Sequence, residues 1–289
     1  MIGNFVDHAM KIQIRFFDRP HLLRTAGCAI LFLLSGCSKG QPASNATSNP
    51  NPGTGGSTKT YQLVWADEFN GTSLDSTNWV FDIGGNGWGN NELEYYQKAN
   101  ATVVDGNLVI TAKKETVGNN PYTSSRLKTQ GKQSFTYGRI EARIKMPVGQ
   151  GLWPAFWLLG TNISSVGWPK CGEIDIMEHI NADSLIYGTA HAYDNGQHVS
   201  SGDKMLSSPA TYHVYDVEWD AYSITWHIDG TLYHTVNLNS NINSTGAFFN
   251  PFFIIFNLAV GGNWPGSQID DTRIPASMYV DYVRVYQLK

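Results

Sequence analysis

From Gly138 to Met146 the chain alternates without a break. Ile140, Ala142, Ile144 and Met146 fall on one parity, and Arg139, Glu141, Arg143 and Lys145 fall on the other. Only an extended strand, whose side chains point to opposite faces in turn, can bury one set while wetting the other. The rest of the chain follows the same rule, and helical periodicity is almost absent. Asn107–Lys113 reads as another strand. Ser223–Ile228 and Thr231–Val236 flank Asp229-Gly230, a two-residue turn signal for a hairpin. Pro251–Val260 is a continuous apolar run, which suits a strand buried on both faces, and Met278–Gln287 closes the chain as a final strand. Many short strands punctuated by Gly, Asn and Pro predict an all-β fold, an antiparallel sandwich formed by residues 60–289 as one domain.

The first part of the 289-residue chain reads differently. Lys11, Arg15, Arg19 and Arg24 precede the apolar run Ala26–Leu34, a charged region and a short hydrophobic one, too short to span a membrane permanently. Met10 as the start would give a signal of more usual length. The run ends Leu34-Ser-Gly-Cys37, which resembles a bacterial lipobox, so residues 1–37 are expected to be a lipoprotein signal whose Cys37 is diacylated after cleavage. Residues 38–59 are rich in Ser, Gly, Pro, Asn and Thr with no large apolar side chain, and are expected to act as a flexible tether. The expected location is outside the cytoplasm, on a bacterial outer membrane or cell surface. Of three cysteines, Cys28 leaves with the signal and Cys37 is acylated. Cys171 is left without a disulfide partner, which also argues against a zinc site. A net charge of −4 with no basic patch argues against nucleic acid as a partner.

The most unusual segment is Glu173-Ile-Asp175-Ile-Met177-Glu178, with three acids in six residues interleaved with apolar side chains. Grouped carboxylates perturb one another's proton affinity, the basis of paired acid and base chemistry near neutral pH. Strict alternation puts Glu173, Asp175 and Met177 on one face and leaves Glu178 out of phase. A β-bulge near Met177 would restore the phase and align all three acids, with the two Glu backbones roughly 13 Å apart along the strand. A helix would leave Glu173 and Glu178 well over a right angle apart. A plain strand with solvated acids on one side is the simpler reading of the same pattern.

The aromatic inventory tips that balance. Nine Trp, fourteen Tyr and thirteen Phe occur in a chain only 15% charged. Several stand in Gly- and Asn-rich stretches, as in Gly84–Tyr96, Gly151–Trp157 and Gly261–Pro265. Trp and Tyr combine a flat apolar face with a polar edge, which suits the C–H faces and hydroxyls of sugar rings. Trp88 and Trp264, set between Gly, Asn and Pro, are expected to face a ligand. Trp157, flanked by Phe156 and Leu158, fits a core position as well as a site.

The stretch Trp168-Pro-Lys-Cys-Gly-Glu-Ile-Asp-Ile-Met-Glu-His179 resembles the active-site strand of glycoside hydrolase family 16, and most closely its laminarinase branch, the endo-β-1,3-glucanases. Further likeness runs from Leu63–Gly71 through Tyr137–Lys145, Gly151–Leu159 and Asn257–Gly266 to Asp281–Tyr286. The extra residue Met177 is typical of laminarinases and is usually missing from lichenases and carrageenases. The resemblance implies a β-jelly-roll of two antiparallel sheets with the cleft on the concave one. It implies Glu173 as nucleophile, Glu178 as acid/base and Asp175 as the group that tunes them. The reaction would be double displacement with retention, needing no catalytic cofactor. His191 matches a site-facing position on the neighbouring strand, though an ordinary sheet histidine fits it equally. Trp153 and Trp157 match positions beside the bound sugar, and Asn86, Glu94, Arg126 and Trp264 are candidate contacts in flanking loops. Many members hold a calcium ion on the convex face, and the matching positions are the Asp281 carboxylate with backbone carbonyls near Glu68 and Gly106. The expected partner is a β-glucan met by a monomer. Two alternatives stay open: hydrolysis or transglycosylation of a mixed-linkage glucan or a galactan, and a glucan-binding lipoprotein without activity.

Overall fold

A computed structural model describes residues 60–289; the signal segment 1–37 with Cys37 and the tether 38–59 lie outside the described residues. The strands run in chain order as β1 (Tyr61–Asp67), β2 (Val80–Asp82), β3 (Glu94–Tyr96), β4 (Ala101–Val104), β5 (Asn107–Ala112), β6 (Tyr122–Ser124), β7 (Arg126–Lys128) and β8 (Gly138–Lys145). They continue as β9 (Leu152–Gly160), β10 (Glu173–Glu178), β11 (Leu185–Asp194), β12 (Gln197–Leu206), β13 (His213–Trp219), β14 (Ser223–Ile228), β15 (Thr231–Asn237), β16 (Phe252–Val260) and β17 (Ala276–Leu288). The expected hairpin is present: Ile228 pairs with Thr231 around Asp229 and Gly230, which carry φ of 50° and 75°. Both central residues at positive φ make the tight turn whose twist matches the strands.

Two antiparallel sheets face each other in a jelly roll. One has the order β12-β11-β10-β9-β16-β7-β2; the other runs β15-β14-β13-β8-β17-β5-β4, with β1 added against β17. The core lies between them. From the outer sheet, Ile140, Ala142 and Ile144 of β8 point inward and are essentially unexposed, as alternation requires. They belong to the same core as Phe156 and Leu158 of β9, Ile174 of β10, and Ile254, Phe256 and Leu258 of β16. Phe156 and Phe256 stack with centroids 4.7 Å apart. Burying each such side chain contributes roughly 1.5–3 kcal/mol, which lets the domain hold together although Cys171 is a free thiol.

The continuous apolar run has a double cause. Every residue of β16 is buried, and its alternate side chains Phe253 and Ile255 form a second small cluster with Leu159 and Cys171. Trp157 and Ile163 cover that cluster. This second cluster is the floor on which one end of the candidate site rests.

Candidate active site

β10 lies inside its sheet, between β9 and β11, and it is irregular where the phase of the acids demands it. Against β11, Glu173 pairs with His191 and Asp175 with Thr189, but Glu178 pairs with Tyr187, so one residue is extra. Against β9 the shift falls between Asp175, opposite Trp157, and Met177, opposite Phe156. The bulge sends Ile176 and Met177 both into the core, at 1% and 0% exposure, and returns Glu178 to the face of Glu173 and Asp175. A bulge disrupts the ladder locally. Beside it the Asp175 carbonyl accepts the indole N–H of Trp226 of β14, from across the sandwich, at 2.7 Å. Gly188 of β11 makes room for that indole: a Cβ there would stand 2.5 Å from the Trp226 ring.

The three carboxyl groups line a cleft of about 360 Å³. Trp168 donates its indole N–H to Glu173 Oε2 at 3.1 Å, and Trp153 donates to Glu178 Oε1 at 3.0 Å. His191 Nε2 stands 3.1 Å from Asp175 Oδ2 and 4.0 Å from Glu173 Oε1. Burial raises all three acids to about 8. The charge of Asp175 adds to the rise at Glu173 and Glu178, while His191 opposes it at both. Arg126 lowers Glu173 further, and the Trp153 N–H lowers Glu178. Three acids this close cannot all ionise near neutral pH, so the cluster stores protons beside an open cleft.

The wall beside Glu173 is aromatic and cationic. The Arg126 guanidinium lies 5.2 Å from the Trp88 ring and 4.8 Å from the Trp157 ring, and pairs with Asp82 at 3.0 Å. Trp157 donates to Asn257 Oδ1 at 2.8 Å. Asn257 in turn donates to the Tyr96 hydroxyl at 3.2 Å, and Tyr96 donates to Glu92 Oε2 at 2.8 Å. Asn90 donates to the other oxygen of Glu92 at 3.0 Å. Trp88, Trp157, Asn257, Asn90 and Glu92 all line the cleft. Their polar edges are held by these bonds, so the wall keeps its shape before anything binds.

The structure redistributes the residues expected from the sequence. Glu173, Asp175, Glu178, Trp88, Arg126, Trp153 and Trp157 line one cavity. Glu94 is a correction: it is completely buried, accepts the Val260 N–H at 2.6 Å, and cannot reach a ligand. Asn86 is also corrected, because it stands outside the cleft lining and its side chain accepts the Trp88 N–H. Trp264 is exposed and stands outside the cleft lining, edge-on to Trp153 at 5.7 Å and to Tyr187 at 4.9 Å. His191 acts behind the acids rather than in the lining. Sequence reasoning missed Trp168, Glu92, Asn90 and Asn257 as lining groups. Trp168 stood inside the stretch that carried the resemblance, and its 51% exposure is the signal that only a folded loop provides.

The positions matched to calcium meet on the outer sheet. Register sets Asp67 opposite Val283 and Leu108 opposite Val280, so the chain at Glu68 and at Gly106 flanks Asp281. Asp281 Oδ2 accepts from Arg143 at 2.6 Å, and both oxygens of the Glu68 side chain are held by Arg284 at 2.7 and 2.8 Å. A carboxylate oxygen and backbone carbonyls are the donor types that a hard cation takes, and Arg143 occupies one of the two Asp281 oxygens.

Comparison with known proteins agrees with this geometry. The pattern that describes glycosyl hydrolases family 16 matches residues 89–284. The chain is 46% identical over 232 residues to the clotting factor G alpha subunit of Tachypleus tridentatus, covering 78% of this chain but 34% of that protein. It is 42% identical over 245 residues to a beta-glucanase of Rhodothermus marinus, covering 78% of this chain and 85% of the relative. Among solved structures, the laminarinase from Rhodothermus marinus superposes with a TM-score of 0.75 at 40% identity, over 80% of this chain and 99% of that one. The laminarinase catalytic domain from Thermotoga maritima gives 0.73 at 44% identity, over 79% and 99%.

Proposed function

The chain belongs to glycoside hydrolase family 16, and from that premise we propose that it is an endo-β-1,3-glucanase that cleaves laminarin-type glucans by double displacement. The observation that carries the reading is the bulge in β10, which presents Glu173, Asp175 and Glu178 together in a cleft walled by indoles. Relatives named glucan endo-1,3-beta-glucosidase, from Niallia circulans and Cryptopygus antarcticus, support the choice of linkage.

The surroundings of the two glutamates differ. Glu173 has the Trp168 N–H, His191 and the field of Arg126 favouring its ionised form, against burial and the charges of Asp175 and Glu178. Its carboxylate attacks the anomeric carbon. Glu178, kept protonated by burial, gives its proton to the departing glycosidic oxygen as that C–O bond breaks. The sugar is then held by an ester bond to Glu173. In the second step Glu178 takes a proton from water, the water oxygen bonds to the anomeric carbon, and the Glu173 carboxylate leaves. Two inversions retain the β configuration. Asp175, raised by burial, keeps its own proton through both steps, which limits repulsion. No cofactor enters the chemistry.

A relative named beta-1,3-glucan-binding protein, from Penaeus monodon, raises the reading of a binder without turnover. The presence of both Glu173 and Glu178 in the cleft supports hydrolysis instead. A mixed-linkage preference has support of its own, since solved relatives at 37% identity are described as non-specific endo-beta-1,3(4)-glucanases. A reducing-end assay across laminarin, lichenan and agarose decides among these. Release from laminarin that is lost in Glu173→Ala, with oligosaccharide binding kept, is the expected outcome. Release only from another glucan overturns the substrate, and no release at all leaves the binder.

The same reading places a monomeric enzyme outside the cell, anchored through acylated Cys37 and extended by residues 38–59. Palmitate labelling compared with a Cys37→Ala variant tests the anchor. A calcium ion at Asp281 would be structural, and addition of calcium to chelated protein is then expected to raise its melting temperature.

A further inference from the structure

His198 has no part in the chemistry above, yet it touches both sides of it. The β11–β12 hairpin pairs Tyr193 with His198 and His191 with Ser200, which puts His198 diagonally across from His191. Two side chains so placed on one face of a sheet can meet, and these do. His198 Nε2 lies 2.9 Å from His191 Nδ1, and the two rings stack at 5.1 Å with 21° between planes. The outer edge of the pair is covered by Trp168, whose ring centre is 4.8 Å from that of His198.

These contacts close a circuit. Trp168 donates to Glu173, and Trp168 rests on His198. His198 bonds to His191, and His191 faces Asp175 at 3.1 Å. An imidazole has two nitrogens, and in its neutral form one donates while the other accepts. The partner at Nδ1 therefore sets what Nε2 presents to the acid, and it also stops the ring from turning over. An unbonded, unstacked His191 could present either nitrogen, or a carbon, to Asp175.

We propose that His198 is a positioning residue for the β10 acids: its hydrogen bond fixes the tautomer and ring orientation of His191 toward Asp175, and its ring seats Trp168 against Glu173. The groups facing His191 are Glu173, Asp175 and Glu178 from β10 and His198 from β12. With its Nε2–H held toward the acids, His191 favours their ionised forms, so a loosened ring lets their proton affinity rise. The kinetic consequence rests on the hydrolase reading; the state of the imidazole does not.

The two contacts separate by substitution. His198→Phe keeps the ring and loses the hydrogen bond; His198→Gln keeps a hydrogen-bonding group and loses the stack; His198→Ala loses both. His198 is exposed, so all three variants are expected to melt close to the parent. Long-range proton–nitrogen NMR on the full domain reports which nitrogen of His191 is protonated, and laminarin turnover reports the effect. The expected result is one dominant His191 tautomer in the parent and mixed tautomers in His198→Phe and His198→Ala. In those two variants kcat should fall about 2- to 10-fold, the value of one hydrogen bond, with KM little changed and the acid limb of the kcat/KM profile moved to higher pH. His198→Gln should recover most of the tautomer and the profile. An unchanged His191 spectrum in His198→Phe and His198→Ala overturns the proposal, whatever the substrate proves to be. So does a His198→Gln variant no better than His198→Ala.

Discussion

Trp226 and Asp175 stand on opposite sheets, and the indole N–H of the first is bonded to the backbone carbonyl of the second at 2.7 Å. This bond ties the irregular part of β10 to the opposite sheet, so the core helps hold the strand in that form. Removing it should cost about 0.5–1.5 kcal/mol, the net value of one hydrogen bond. Trp226→Phe keeps most of the ring and deletes the donor. It should lower stability by that amount in denaturant unfolding and reduce kcat on laminarin. An unchanged kcat in a folded Trp226→Phe protein would mean that the bulge holds itself.

Trp153 bears on proton transfer. Its N–H bond to Glu178 favours the ionised form, so Trp153→Phe should make Glu178 hold its proton more tightly. The alkaline limb of the pH profile of kcat/KM then moves upward. A weaker acid also donates less readily, and kcat should fall by roughly 2- to 10-fold. A limb that stays in place, measured on laminarin, contradicts the assignment of that limb to Glu178.

Burial of the acids should be visible in stability as well as in rate. Glu173 is raised from 4.5 in its ordinary state to about 8. The folded form therefore binds the extra proton between those values, and stability declines as pH rises through that window. Glu173→Gln removes the ionisation. Its melting temperature should match the parent near pH 4 and exceed it by at least about 2 °C near pH 8. Equal melting at both pH values would show that Glu173 is not strained by its surroundings.

Much of this was legible in the chain. Alternation in Gly138–Met146 and the Asp229-Gly230 turn are local rules, and the structure follows them. The bulge was legible because three acids sharing one face require it, and phase is countable. Glu92 and Glu94 show where such reading stops. They are two residues apart and chemically alike, and which one meets the cleft depends on the parallel pairing of β3 with β6 and on a backbone N–H from β16. No local rule contains that choice. Trp168 and His198 are similar cases, since each is placed by a loop or hairpin returning over β10.

The Arg126 wall should act on binding more than on turnover. Its guanidinium is held between Trp88 and Trp157 and anchored by Asp82. Arg126→Ala unseats both rings, so KM for laminarin should rise about tenfold, with a smaller change in kcat. A variant with normal KM would place the sugar elsewhere.

The central claim, that Glu173 attacks the sugar, is tested most directly by trapping. A 2-deoxy-2-fluoro laminaribiosyl fluoride slows the second step more than the first, so the ester accumulates. Intact-mass analysis with peptide mapping should find one added fluorosugar on the peptide that carries Glu173, and none in Glu173→Gln. An adduct on Glu178 or Asp175, or none while the substrate is still consumed, would contradict it.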